Sequence, residues 1–220
     1  AKFQNFRATK IVSDYGFSHM NSQVSHQAKW KRSVVQVYDA ASVPFDWSPI
    51  LKATCDEVGI AYFSSPYDFD AIDITGYYFP GYPEVPSDEY INNIKRRAFQ
   101  LGLDISGTGV KNDFATPDAE KRAADVKMVK EWIDVAARLG APVIRVFAGE
   151  LPKGYEGRRE EVAQYMAECL KECADYGKLR GVLVGVQNHG DFLSTAEQCI
   201  DMVKRVNSDW FGLIVDSGKF

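Results

Sequence analysis

The residues able to do chemistry in this chain gather where apolar runs end. Asp216 closes the run Phe211-Gly-Leu-Ile-Val215, while Gln187 and His189 close the run at 183–186. Glu150 follows the run at 143–149, and Arg145 interrupts it. If these runs are parallel strands, a carboxylate at the strand end points into the mouth where such folds place their sites. Asp before Ser-Gly is also an ordinary strand-to-turn choice. His189 after a strand suits either a hydrogen-bonded structural role or a ligand contact. A guanidinium on an apolar strand needs a partner once buried, either an acid in the interior or a ligand oxygen. Cys169 and Cys173 lie one helical turn apart, but no further Cys or His follows to complete a metal clip. The four cysteines therefore read as reduced packing residues. Gly107-Thr108-Gly109 is only a short glycine pair, and no Gly-x-Gly-x-x-Gly follows a strand to bind a dinucleotide.

These residues need a scaffold of alternating elements. Strands are expected at 1–6, 60–64, 71–77, 104–110, 143–148, 183–188 and 212–216, several of them continuous apolar runs of the kind parallel strands show when covered on both faces. Helices fill most gaps. One starts at Ser48-Pro49 and carries Ile50, Leu51, Cys55 and Val58; another opens at Ser87, carries Ile91, Ile94, Ala98 and Leu101, and closes at Gly102. A third starts at Thr116-Pro117, with Val126, Val129, Ile133, Ala136 and Leu139 inward. A fourth begins at Glu156 or Gly157, with Val162, Met166, Leu170 and Cys173 on one face. Ser194-Thr-Ala-Glu197 reads as a capping box before a stripe of Ala196, Ile200 and Val203. The order predicts α/β architecture, a TIM-type parallel β/α barrel in one domain over 1–220, incomplete or irregular near residues 64–71. The irregularity follows from spacing. Only Ser65-Pro66-Tyr67-Asp68-Phe69-Asp70 separates two strands, whereas adjacent parallel strands need a crossover of about a dozen residues.

Residues 1 to about 73 resemble the sialic acid (N-acetylneuraminate) synthases. The resemblance lies in Lys2-Phe3-Gln4-Asn5-Phe6, in Leu51-Lys-Ala-Thr-Cys-Asp-Glu-Val-Gly59-Ile60 and in Phe63-Ser64-Ser65-Pro66-Tyr67-Asp68. Ser65 stands where that family usually has Thr. The resemblance implies condensation of phosphoenolpyruvate with an N-acetylated sugar, with Lys2 and Gln4 facing the substrates and Ser65 touching phosphate. The metal-binding and catalytic partners of that reaction belong to units absent from this chain.

Residues from about 69 onward are similar to the xylose-isomerase-like sugar phosphate isomerases and epimerases. Three stretches carry the likeness: Phe69-Asp-Ala-Ile-Asp-Ile-Thr-Gly-Tyr-Tyr-Phe-Pro-Gly-Tyr-Pro83, Ala141-Pro-Val-Ile-Arg-Val-Phe-Ala-Gly149, and Val184-Gly-Val-Gln-Asn-His-Gly190 with Gly212-Leu-Ile-Val-Asp-Ser-Gly218. The resemblance implies a divalent ion (Mn, Mg, Co or Zn) that polarises a sugar carbonyl while an acid/base pair moves a proton. Asp216 and Gln187 are the implied metal ligands, Gln187 standing where many members carry Glu and offering a weaker oxygen. His189, Glu150 and Arg145 are the implied substrate contacts, and the substrate is a small sugar or sugar phosphate. The family's remaining ligands, a His and a Glu, are expected beyond Phe220, so the site reads as incomplete. The aromatic stretch Tyr77-Tyr-Phe-Pro-Gly-Tyr-Pro83 either stacks on a sugar ring or plugs the barrel mouth.

The two resemblances meet at Asp68-Phe69-Asp70-Ala71-Ile72-Asp73, dividing the chain into a synthase-like segment at 1–70 and an isomerase-like segment at 71–220. Asp-Ala-Ile-Asp is where a crossover between two homologous barrels would be placed. An abrupt start without Met, and a final strand with no helix after it, read as cut ends. A recombined barrel without catalytic function is therefore the alternative to an isomerase/epimerase, and synthase-type condensation is a further one. Open strand edges would favour self-association into a homo-oligomer.

Composition narrows the classes. At 220 residues the chain is slightly short of the roughly 250 that eight β/α units need. Apurinic endonucleases share the isomerase-like barrel, but they require several His and acidic ligands and a basic groove. Three His and a net charge of −4 argue against them and against nucleic-acid binding. No apolar run approaches a membrane span and no signal pattern opens the chain, so a cytoplasmic location is expected.

Overall fold

The computed structural model describes residues 2–5, 32–41, 47–59, 63–66, 71–189 and 192–216. His19, His26 and the first half of the expected join, at 68–70, lie outside the described residues. Along the chain the elements are β1 (Lys2–Asn5), α1 (Val34–Ala41), α2 (Ser48–Glu57), β2 (Phe63–Pro66), β3 (Ala71–Thr75), α3 (Asp88–Gln100), β4 (Asp104–Gly109), α4 (Ala119–Leu139), β5 (Val143–Phe147), α5 (Arg159–Arg180), β6 (Leu183–Gln187), α6 (Ala196–Val206) and β7 (Phe211–Val215). Short 3₁₀ turns at Gly76–Tyr78 and Glu156–Arg158 follow β3 and precede α5.

All seven strands join one parallel sheet in the order β2-β1-β7-β6-β5-β4-β3. The pairing of β1 with β7 brings the first and last strands together, as a barrel requires. The ring has one open seam. Among the described residues no ladder joins β2 to β3, so the barrel is not closed. This answers the crossover problem posed by the sequence: β2 and β3 follow each other in the chain but do not pair, and no helix is needed between them.

The layers follow from alternation. Ile144, Val146, Val184, Val186 and Leu213 face the helices and are buried. Against them lie Val129, Trp132, Ile133 and Ala136 of α4, and Val162, Met166, Leu170 and Cys173 of α5. Each fully buried Ile, Leu or Met contributes about 1.5–3 kcal/mol relative to exposure. The expected inward faces of α4 and α5 are thus the observed ones, with Trp132 added.

Several boundaries differ from expectation. The strand placed at 60–64 lies at Phe63–Pro66, where β1 fixes its register with Lys2 opposite Phe63. The helix expected from Thr116-Pro117 begins at Ala119, because the Asp118 carboxylate accepts from the Glu120 and Lys121 amides at 3.0 and 3.2 Å. The capping box sits one residue later than read, on Thr195 and Gln198. The buried stripe of α6 shifts with it to Cys199, Met202 and Val206. On α2 Cys55 is buried, while Ile50 and, just past the helix, Val58 face solvent. Among the described residues no helix is long and apolar enough to cross a membrane.

Candidate functional site

The interior of the sheet opens around Arg145. Its register partners are Gly109 on β4 and Gly185 on β6, and Gly185 pairs in turn with Gly212 on β7. Across these four strands the layer therefore holds one side chain, the guanidinium. Gly109 is needed there: a Cβ on it would sit 2.7 Å from Arg145 Nε and 2.8 Å from Nη2. The guanidinium rests over the rings of Phe147, at 4.7 Å, and Tyr77, at 5.5 Å.

Arg145 was expected to meet an acid or a ligand. It meets neutral oxygens instead. Nη1 donates to Gln187 Oε1 at 2.8 Å, and Nη2 donates to the Tyr77 hydroxyl at 3.1 Å. Gln187 is buried, and its Nε2 donates onward to Asp216 Oδ2 at 3.0 Å. His189 Nδ1 lies 3.8 Å from the same oxygen, and its ring packs on Phe147 with centroids 5.2 Å apart. A polar chain thus runs Arg145–Gln187–Asp216–His189 across the strand ends.

Two asparagines that the sequence reading passed over hold these ends in place. Asn188 accepts from the Asp216 amide at 2.6 Å and donates to the Asp216 carbonyl at 3.0 Å. Asn112 does the same for Phe147, accepting at 2.8 Å and donating at 3.1 Å. Each side-chain amide extends the ladder beyond its strand by imitating a peptide group. Both are buried. The available signal was an Asn just past an apolar strand, where a solvated turn residue would be the ordinary choice.

Above this chain lies a cavity of about 380 Å³ lined by Tyr77, Lys111, Asn112, Phe147, Gly149, Glu150 and His189. That volume and its mixed aromatic and polar wall suit a small ligand. The aromatic stretch divides. Tyr77 lines the cavity, whereas Phe79 and Tyr82 pack on Trp132, each with centroids 5.4 Å away. Trp132 Nε1 donates to the Pro83 carbonyl at 2.9 Å, and the Tyr82 hydroxyl exchanges hydrogen bonds with the Lys111 backbone. Burial raises the Tyr82 pKa above the ordinary value, consistent with a neutral structural phenol.

Gln187 and Asp216, the implied metal ligands, meet directly, and His189 and Glu150 reach the same mouth. As a metal site the set does not fit. No three of His, Cys, Asp and Glu gather to hold an ion among the described residues. The Gln187 oxygen already accepts from a cation. The synthase-implied residues lie on the neighbouring strands, with Gln4 opposite Ser65 and Lys2 opposite Phe63 and Ile214; their side chains lie outside the described residues.

Comparison with known proteins agrees with both parts of the sequence. The family model described as xylose isomerase-like TIM barrel matches residues 63–220, and that of the NeuB family matches residues 1–97. No curated protein matches the chain. Among solved structures, a D-tagatose 3-epimerase-like protein superposes with a TM-score of 0.59 at 20% identity, covering 67% of this chain and 56% of the other. D-psicose 3-epimerase from Clostridium cellulolyticum H10, solved with D-tagatose, gives 0.56 at 16% identity, covering 98% and 63%. An L-ribulose 3-epimerase gives 0.54 at 20% identity, covering 80% and 56%. The chain thus spans less than two thirds of the length of these structures, and at such identities the likeness is one of fold.

Proposed function

Starting from a chain that belongs to the xylose isomerase-like TIM barrel family, we propose that its barrel mouth binds a small sugar or sugar phosphate and is of the isomerase/epimerase type. One observation carries this reading. Arg145, Gln187, Asp216 and His189 form a continuous polar chain directly beneath a cavity walled by Tyr77 and Phe147. Aromatic faces suit the apolar side of a sugar ring, and the polar chain suits its hydroxyls. Isomerisation or epimerisation needs one group to take a proton beside a carbonyl and another to return it. His189 and Glu150 are the lining residues suited to that exchange, with Asp216 orienting His189. The relatives named for D-tagatose, D-psicose and L-ribulose 3-epimerases support a ketose as the substrate class.

A metal would polarise the carbonyl if one were held, but the described residues do not assemble its ligands, and no step here is routed through it. The incomplete donor set supports a second reading, a barrel that binds sugar without turning it over. The open seam between β2 and β3 also favours this second reading, as does the NeuB family match at 1–97. The outer edges of β2 and β3, which carry no ladder among the described residues, support self-association, which sedimentation velocity would detect.

The test is saturation-transfer difference NMR with D-tagatose and D-fructose, followed by an assay for their interconversion and for C3 epimers. Binding that Tyr77→Ala or His189→Ala weakens about tenfold or more supports the mouth as the ligand site. Product formation selects the enzyme, and binding without product selects the second reading. No saturation transfer at millimolar sugar would remove both.

A further inference from the structure

The geometry points to Arg145 as the built-in cation of this mouth, which keeps divalent ions off the Gln187–Asp216 pair so that the site takes its sugar without one. This rests on the proposed ligand site and concerns how that site is charged. A hard cation bridging Gln187 and Asp216 must use Gln187 Oε1, since the amide nitrogen of a side-chain carboxamide is a donor and not a ligand. That oxygen accepts from Arg145 Nη1 at 2.8 Å.

Flipping the amide would free the oxygen toward Asp216, but it would set the Gln187 NH₂ against the guanidinium, donor facing donor. It would also strip Asp216 Oδ2 of the hydrogen bond it now accepts at 3.0 Å. The orientation is therefore fixed from both ends. A guanidinium keeps its charge at every accessible pH. Metal–oxygen distances of about 2.0–2.6 Å would bring a divalent charge within roughly 5 Å of Arg145. Among the described residues Arg145 forms no ion pair that would offset that repulsion; its partners are an amide, a phenol and two rings.

The guanidinium also has a prepared socket. Gly109 and Gly185 flank it in register, and a side chain at Gly109 would displace it. Its charge reaches Asp216 through one oriented amide. The carboxylate is thus balanced from within the protein, and the pair presents hydroxyl-binding groups without a vacancy for an ion.

The experiment measures Mn²⁺ alone, by electron paramagnetic resonance of the free ion, on the full chain. The wild type is expected to show no saturable binding below millimolar Mn²⁺. Arg145→Met combined with Gln187→Glu is expected to tighten binding by about a hundredfold, and adding Asp216→Asn is expected to abolish the gain. Gln187→Glu alone keeps the socket intact. It is expected to stay within about threefold of wild type, because the new carboxylate pairs with Arg145. This single variant decides the matter even where the double variant fails to fold. Micromolar Mn²⁺ binding by the wild type that Asp216→Asn removes would overturn the proposal. So would Mn²⁺ binding by Gln187→Glu alone that is tighter than wild type by about a hundredfold. Because the readout is metal alone, failure here leaves the sugar-binding result standing, and failure to bind sugar leaves this one standing.

Discussion

Replacing Asn188 by Ala should loosen Asp216 and destabilise the whole sheet, by an amount the structure allows one to estimate. The Asn188 side chain makes two hydrogen bonds, to the amide and carbonyl of Asp216, at 2.6 and 3.0 Å. Asn188 is 2% exposed, so water does not readily replace the lost partner. Each such bond contributes about 0.5–1.5 kcal/mol net, and leaving a buried peptide group unsatisfied costs about 1–3 kcal/mol. The sum is a loss of about 2–6 kcal/mol in unfolding free energy. Asn188→Asp should be no better. Its carboxylate still accepts from the Asp216 amide but cannot donate to the carbonyl, and it sets a second negative charge beside Asp216. The assay is urea denaturation followed by far-UV circular dichroism, with the midpoint falling and the m-value unchanged. Asn112→Ala, which removes the equivalent clamp on Phe147, should cost a similar amount. The two differ at the site, since only Asn188→Ala displaces Asp216. Variants within about 0.5 kcal/mol of wild type would refute the clamp reasoning.

Other expectations follow from packing and titration. Gly177→Ala in α5 gains about 1 kcal/mol of helix propensity. Its Cβ would nevertheless fall 2.4 Å from the Val182 carbonyl, backbone that is itself tied to Gly177. Overpacking costs about 1–3 kcal/mol, so thermal melts should show net destabilisation, and a raised Tm would contradict the contact. Burial raises the Asp125 pKa, the Asp113 charge adding to it, while the Asp113 amide hydrogen bond opposes. The folded state then binds the proton more tightly than the unfolded chain, so stability is lost as pH rises through the folded pKa. Asp125→Asn, which keeps an oxygen for the Asp113 amide at 2.6 Å, should be more stable than wild type at pH 7. The gain should vanish below about pH 4, near the unfolded Asp value; a gain independent of pH would argue against this origin. Burial pushes the Cys169 and Cys199 thiols up to about 11 and Cys173 higher still. A thiol reagent at pH 8 should label all three quickly only after unfolding.

The sequence was most informative where physics repeats. Parallel strands covered on both faces are largely apolar, so β5 to β7 were legible as runs, and the inward stripes of α4 and α5 as periods. The open seam was legible too, because six residues cannot carry a crossover helix. Ends of elements were less so. Thr195 rather than Ser194 caps α6, and Asp118 rather than Thr116 caps α4, since neighbouring residues compete for a role that only three-dimensional geometry assigns. At the site, Gln187, His189, Glu150 and Asp216 were visible from strand ends and family likeness. What Arg145 touches was not. Its partners are an amide on the next strand and a phenol 68 residues away, whereas pattern alone offered an acid or a ligand oxygen. Asn112 and Asn188 escaped notice because a buried Asn and a solvated turn Asn are the same letter.

The measurement that tests the central claim most directly is amide chemical-shift mapping of the ¹⁵N-labelled chain during a titration with D-tagatose. The account predicts shifts that cluster at the C-terminal ends of the strands, on Tyr77, Asn112, Gly149, His189 and Asp216, and saturate together. Saturable shifts at the opposite end, around Val143, Leu183 and Gly212, or no saturable shifts at all, would contradict it.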